Sequence, residues 1–252
     1  MKRHIPNAIT CCNLFCGCVA IVLADNYYFP IAFLFVLLGA CFDFFDGMVA
    51  RAFGVSGPMG VELDSLADVV TFGVAPSMMV FRFFSELRDV ASTNTAPMVF
   101  LPYLAFLIAV FSALRLAKFN IDTRQHTHFI GLPTPANAIL WTAAIASGEK
   151  FMFYHGMNAW ILIGLILSSC FLLVCEVPMF ALKFRSMRWA DNKIKFVFLG
   201  LSVLIIVVAG ILGVTHHHFG RFVARGLASC IALYIAMSVC SALFDSKAIA
   251  KA

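Results

Sequence analysis

Charge is what this sequence has least of. Of its 252 residues only 12% are charged and 62% are apolar. Soluble domains run at about 25% charged and about 45–50% apolar. So little charge argues against a soluble globular domain, and so much apolar content excludes a disordered chain. Other features are missing too. There is no strong internal repeat, no low-complexity stretch and no segment that reads as a soluble domain, so one membrane domain over residues 1–252 is expected. The nine cysteines lack the paired C-x-x-C spacing of zinc sites. Cys11, Cys12, Cys16 and Cys18 share one apolar run, where thiols act as small hydrophobes. That run is interrupted by Asn7, Thr10 and Asn13 and is followed by no clear small-residue cleavage site, so it is expected to stay as a transmembrane helix rather than a signal peptide. The triplet His216–His218 falls in a loop and suggests no metal site.

What is present is long apolar runs. Eight can be drawn, at roughly 8–25, 29–50, 60–85, 98–118, 134–148, 158–176, 194–214 and 222–244. The fifth is short, which suggests a tilted or partly interfacial segment. Continuous apolar runs are helical, since the strands of a membrane barrel alternate. The expected fold is therefore all-α, a polytopic bundle of about eight transmembrane helices. With the N-terminus in the cytoplasm, 13 lysines and arginines fall on the inner side, among them Arg51, Arg115 and Lys118. Five fall outside: Arg82, Arg88, Lys150, Arg221 and Arg225. This asymmetry places both termini in the cytoplasm. The net charge of +5 then faces anionic lipid, with no need for nucleic acid.

Acids are scarcer still, 13 in all, yet Asp43, Asp46, Glu62, Asp64 and Asp68 crowd into one greasy stretch, DFFDGMVARAFGVSGPMGVELDSLAD. Carboxylates at membrane depth are expensive, so their clustering asks for a function. Asp43 and Asp46, three apart, share a helix face that Gly47, Ala50 and Arg51 continue. Gly54, Gly57 and Pro58 mark a turn. Gly60, Asp64 and Asp68 then recur at steps of four on the next helix. Glu62 steps off that face toward the turn or water. Four aspartates thus converge near the cytoplasmic ends of two helices. Without counter-charge they could not all ionise there, and divalent cations, Mg²⁺ or Mn²⁺, would supply it, two of them bridged ~4 Å apart. Gly47, Ala50 and Gly60 leave the face open for close approach of a substrate, and Arg51 at the boundary suits bidentate phosphate binding. Carboxylates, divalent cations and an arginine together read as a phosphoryl-transfer site. A lone intramembrane Asp is often only a helix–helix partner, but that reading fits four at helical spacing poorly.

These residues carry a resemblance. Asp43, Asp46, Gly47, Ala50, Arg51, Gly60, Asp64 and Asp68 meet every fixed position of D-x2-D-G-x2-A-R-x8-G-x3-D-x3-D, the signature of the CDP-alcohol phosphotransferases. IPNAITCCNLFCG, ELDSLADVVTFGVAP, ALRLAKFN, GLPTPANA and VPMFALKF resemble the membrane-type branch of that family that uses CDP-diacylglycerol and serine. The resemblance covers about residues 5–195. It implies a catalytic core of six helices there, with extra C-terminal helices over about 194–244, and a homodimer. It also implies that Asp43, Asp46, Asp64 and Asp68 are the metal ligands and that Asp68 is the general base. Gly47, Ala50, Arg51 and Gly60 would take the cytidine diphosphate part of CDP-diacylglycerol, with Asn7 and Thr10 of a P-N-x-x-T element beside them. Without the resemblance those last two read as polar helix-start residues. The reaction implied is direct displacement of CMP by the serine hydroxyl, giving phosphatidylserine. The lipid tails stay in the bilayer while the head group enters from the cytoplasm.

For the acceptor, Arg115, Lys118 and Asn120 cluster at the cytoplasmic end of the fourth run and could receive L-serine. Ordinary anchoring at the membrane boundary explains them equally well. Gly131, Pro133 and Pro135 suit a turn or helix entry. Glycerol 3-phosphate or an inositol phosphate as acceptor would demand a denser basic pocket. A divalent-cation transporter would place its acids at the bilayer midplane between two repeated halves. Here they sit on one hairpin near one face, with no second copy.

Overall fold

The computed structural model describes residues 4–55, 57–90, 99–121, 129–154, 158–179 and 192–249. Its helices are α1 (His4–Asp25), α2 (Phe29–Phe53), α3 (Pro58–Asp68), α4 (Ala75–Val90), α5 (Leu107–Ile121), α6 (Thr134–Tyr154), α7 (Ala159–Val174), α8 (Lys193–Thr215) and α9 (Phe219–Ile249). A π-helical segment, Val69–Val74, joins α3 to α4, and a 3₁₀ turn, Leu101–Phe106, leads into α5. The fold is an all-α membrane bundle, and six of its helical stretches are long and apolar enough to cross a bilayer.

Apolar contacts between helices gain little in lipid, which is as greasy as the side chains, so the bundle is held by close packing of small residues. Ala20, Ala24, Ala32, Ala75, Ala138, Ala143 and Ala146 are all buried. The largest core joins α1, α2, α4, α5, α6 and α7 through Phe29, Met79, Phe83, Ile108, Ile145 and Ile166. At the far end from the aspartates, Arg82 on α4 donates through Nε to Asp25 at the end of α1 (2.8 Å). All nine cysteines are free.

One sequence expectation needs correction. The fifth run is no interfacial segment: α6 packs against α2, α4 and α9 in the middle of the bundle. It looks short in hydropathy because its polar residues Thr134, Asn137, Thr142 and Ser147 turn into protein, where they are buried. The connections after α5 and α7 carry a pair of short strands. Phe129–Ile130 (β1) and Pro178–Met179 (β2) pair antiparallel, Phe129 opposite Met179. Two-residue strands leave no periodicity to read. Gly131 follows β1 at φ 75°, a left-handed conformation, with the carbonyls of Leu173 and Cys175 where a Cβ would be. The C-terminal pair α8 and α9 packs together and closes on α6 and β2, with Phe198 and Tyr234 joining Leu132 and Met179 in a core of their own.

Candidate active site

The acidic hairpin forms because each helix end carries its own stop or start. Gly54 sits at φ 62°, and the N–H groups of Gly54 and Val55 return to the carbonyls of Arg51 (3.2 Å) and Ala50 (3.0 Å), a Schellman close. Gly57 is extended and Pro58 opens α3, where its missing N–H costs nothing. The short connection brings the two aspartate pairs face to face.

Single oxygens of Asp43, Asp64 and Asp68 lie within 4.8 Å of one another. At that separation each pair of like charges costs about 3 kcal/mol at an effective dielectric of 20. One hydrogen bond to a charged group returns about 1.5–3 kcal/mol, too little to offset three such pairs. The donor set, three carboxylates with a buried Asp64 Oδ1 that has no hydrogen-bond partner, fits a hard divalent cation. Asp46 is outside this trio. Its Oδ2 accepts from the Thr10 hydroxyl at 2.6 Å. Glu62 is exposed.

A cavity of about 480 Å³ opens beside the trio. Asn7 and Thr10 of α1, Gly47 and Ala50 of α2 and Gly60 of α3 line it, together with Asp46 and Asp64. No protein atom crowds the two glycines. A Cβ on Gly47 would meet only the Arg51 guanidinium, Nη1 at 3.6 Å and Nη2 at 3.9 Å, and one on Gly60 only Asn7 Oδ1, at 3.4 Å. Arg51 is exposed, one helical turn beyond Gly47.

Of the three acceptor candidates, only Arg115 turns inward. It is 7% exposed, its Nη1 donates to Thr134 Oγ1 (3.1 Å), and it lies within electrostatic reach of Asp68. Lys118 pairs with Glu176 at the surface (3.3 Å), and the exposed Asn120 donates to the half-buried Ser65 hydroxyl (2.8 Å).

Asn13 is a site residue that the sequence reading passed over. It is fully buried and donates from Nδ2 to Asp68 Oδ1 (3.2 Å), while its backbone carbonyl accepts from Thr71 in the π segment (3.0 Å). The signal was there: Asn7, Thr10 and Asn13 recur every three residues and form one polar stripe on α1. The π segment itself begins immediately after Asp68. Such single-turn π segments occur often at functional sites.

Comparison with known proteins agrees with this geometry. A family model described as CDP-alcohol phosphatidyltransferase matches residues 3–168. A Helicobacter pylori protein named CDP-diacylglycerol–serine O-phosphatidyltransferase is 31% identical over 209 residues, 80% of this chain and 81% of the relative. Proteins of the same name from Bacillus subtilis (40% over 137 residues, 53% of this chain and 70% of the relative) and Saccharomyces cerevisiae (38% over 171 residues, 61% and 56%) are similar too.

Proposed function

This chain belongs to the CDP-alcohol phosphatidyltransferase family, and from that premise we propose that it transfers the phosphatidyl group of CDP-diacylglycerol to L-serine, forming phosphatidylserine and CMP. The observation that carries the chemistry is the Asp43–Asp64–Asp68 trio beside a cavity edged by small residues. The relatives' shared name supports serine as the acceptor.

In this reading the four aspartates would hold divalent cations, Mg²⁺ or Mn²⁺ and two in number, with Asp43, Asp64 and Asp68 as the central set. Bound there, the cations would neutralise the diphosphate and ease the departure of CMP. The chain's own residues do the rest. Gly47, Ala50 and Gly60 let the cytidine diphosphate group lie against backbone, with Asn7 and Thr10 at its side, and Arg51 forks onto phosphate at the mouth. Thr10 also fixes the Asp46 carboxylate. Arg115 takes the serine carboxylate. Asp68, held by Asn13, accepts the proton of the serine hydroxyl. The serine oxygen forms a bond to the phosphorus that carries diacylglycerol, and the bond from that phosphorus to CMP breaks. One proton passes to Asp68 and then to water, and no covalent enzyme intermediate is involved.

The same reading puts the site, and both termini, on the cytoplasmic side, supported by 13 basic residues on that side against five on the other. It takes the chain as one membrane domain with its core at about 5–195, and as a homodimer on the family resemblance alone. The deciding experiment is acceptor dependence of CMP release by purified protein supplied with CDP-diacylglycerol and Mg²⁺ or Mn²⁺. Release should require L-serine and not follow glycerol 3-phosphate or an inositol phosphate. Release that is indifferent to serine ends the assignment.

A further inference from the structure

A second group of buried polar atoms lies at the junction of α5, α6 and α7, away from the cavity lining. Ser112 and Arg115 are three apart on α5, and Thr134 and Asn137 are three apart on α6, so each pair shares a helix face. The bond from Arg115 to Thr134 ties the two faces together. Ser112, Thr134 and Asn137 are 0% exposed. Even so, Ser112 Oγ, Arg115 Nε and Asn137 Nδ2 have no hydrogen-bond partner. Each unpaired buried donor costs about 1–3 kcal/mol, so this junction carries more polarity than the protein satisfies.

The orientation of the Asn137 amide follows from its neighbours. The Trp141 indole N–H can only donate, and it does so to Ser169 Oγ (3.0 Å). The Ser169 proton is then free to go to Asn137 Oδ1, at 2.6 Å. The relay runs in one direction only, and it holds the amide oxygen toward α7. The two N–H groups of Asn137 are left on the other side, one helical turn from the Thr134 hydroxyl that Arg115 grips.

We propose that Asn137 is an acceptor-binding residue, its Nδ2 donating to the carboxylate of the amino-acid acceptor alongside the Arg115 guanidinium. This rests on transfer to serine as described above, and it extends the acceptor subsite to a residue on α6. The chemistry matches. A carboxylate offers two oxygens and about four lone-pair sites, more than one guanidinium nitrogen fills. Arg115 also lies within electrostatic reach of Asp68, the base in this reading.

The test compares wild type, Asn137→Ala and Asn137→Asp as purified full-length protein. Initial rates of CMP release are measured against L-serine and against serinol, which keeps the hydroxyl and ammonium and lacks the carboxylate. Asn137→Ala should raise the KM for serine about tenfold, the loss of one such contact at 1.4 kcal/mol per decade. The KM for CDP-diacylglycerol should stay within about twofold. Asn137→Asp keeps the oxygen that Ser169 needs and sets a negative charge against the carboxylate, so it should impair serine further and lower the serine-to-serinol preference. An unchanged serine KM in both variants overturns the proposal, as does an equal rise in KM for CDP-diacylglycerol. If neither variant folds, Ser169→Ala decides. Freeing the amide to rotate should raise the serine KM several-fold, and an unchanged value in folded protein overturns the proposal. Wild type that releases CMP without regard to serine would instead fail the functional reading itself, whatever the variants do.

Discussion

Asp68 holds the most constrained position of the four aspartates. It is 8% exposed, it belongs to the trio, it accepts from Asn13, and it sits at the start of the π segment. Asp68→Asn keeps the shape and removes the base, so turnover should fall at least about a hundredfold while binding of CDP-diacylglycerol remains measurable. Full activity in that variant would remove Asp68 from the role. The glycines give a cleaner probe of the nucleotide-lipid site. Gly47→Ala meets no protein atom closer than 3.6 Å, and Ala is the better helix former by about 1 kcal/mol. The variant should therefore be as stable as wild type or more so, yet show a KM for CDP-diacylglycerol raised about tenfold. Unchanged kinetics would mean that no substrate approaches that face. The stripe of Asp43, Asp46, Gly47, Ala50 and Arg51 was legible in sequence because helical spacing alone aligns it. Asn13 shows in sequence only as one member of a polar stripe with Asn7 and Thr10, and its role appears once Asp68 is seen opposite it.

At the scale of elements, glycines on α1 and α2 explain how the π segment can pack so close to both. Thr71, fully buried, fits between Gly17 of α1 and Gly39 of α2. A Cβ on Gly39 would stand 2.6 Å from Thr71 Cγ2 and 2.9 Å from Asn13 Oδ1. Gly39→Ala should thus cost about 1–3 kcal/mol through overpacking, read as a lower apparent Tm in detergent, and should cut turnover through the displaced Asn13. A Tm and rate equal to wild type would show that the three helices have room there for a methyl group. The opposite stability effects expected at Gly39 and Gly47, one helix and eight residues apart, separate a packing glycine from a substrate glycine. The signature singles out Gly47, but nothing in the sequence marks Gly39 as a packing contact. Apolar periodicity also passed straight through residues 69–74, because an extra residue per turn changes which side chains face inward without changing how greasy they are.

For the whole molecule, the site lies at one membrane face, where a lipid substrate keeps its tails in the bilayer and a water-soluble acceptor arrives from outside it. The sidedness can be measured. In intact cells a membrane-impermeant maleimide should label His217→Cys, while Lys118→Cys should label only after permeabilisation; the reverse pattern would put the active site outside. His217 is exposed and Lys118 half-buried beside the exposed Glu176, and the native exposed cysteines lie on transmembrane helices. The paired helices α8 and α9 read in sequence as additions to a core, yet α9 packs on α6 and on β2, and α6 carries the Thr134 that Arg115 grips.

The sequence by itself determined the membrane class, the order of the helices and the acidic hairpin, because burial in lipid and helical spacing are local rules that act along the chain. Only the tertiary structure decided which aspartates cluster as a trio and which one Thr10 holds apart. The same is true of Arg115, turned inward while Lys118 and Asn120 stay at the surface, and of α6, polar because protein surrounds it. Those outcomes depend on which helix faces which across gaps of a few ångströms, and such pairings are made between residues tens of positions apart, where no local pattern records them.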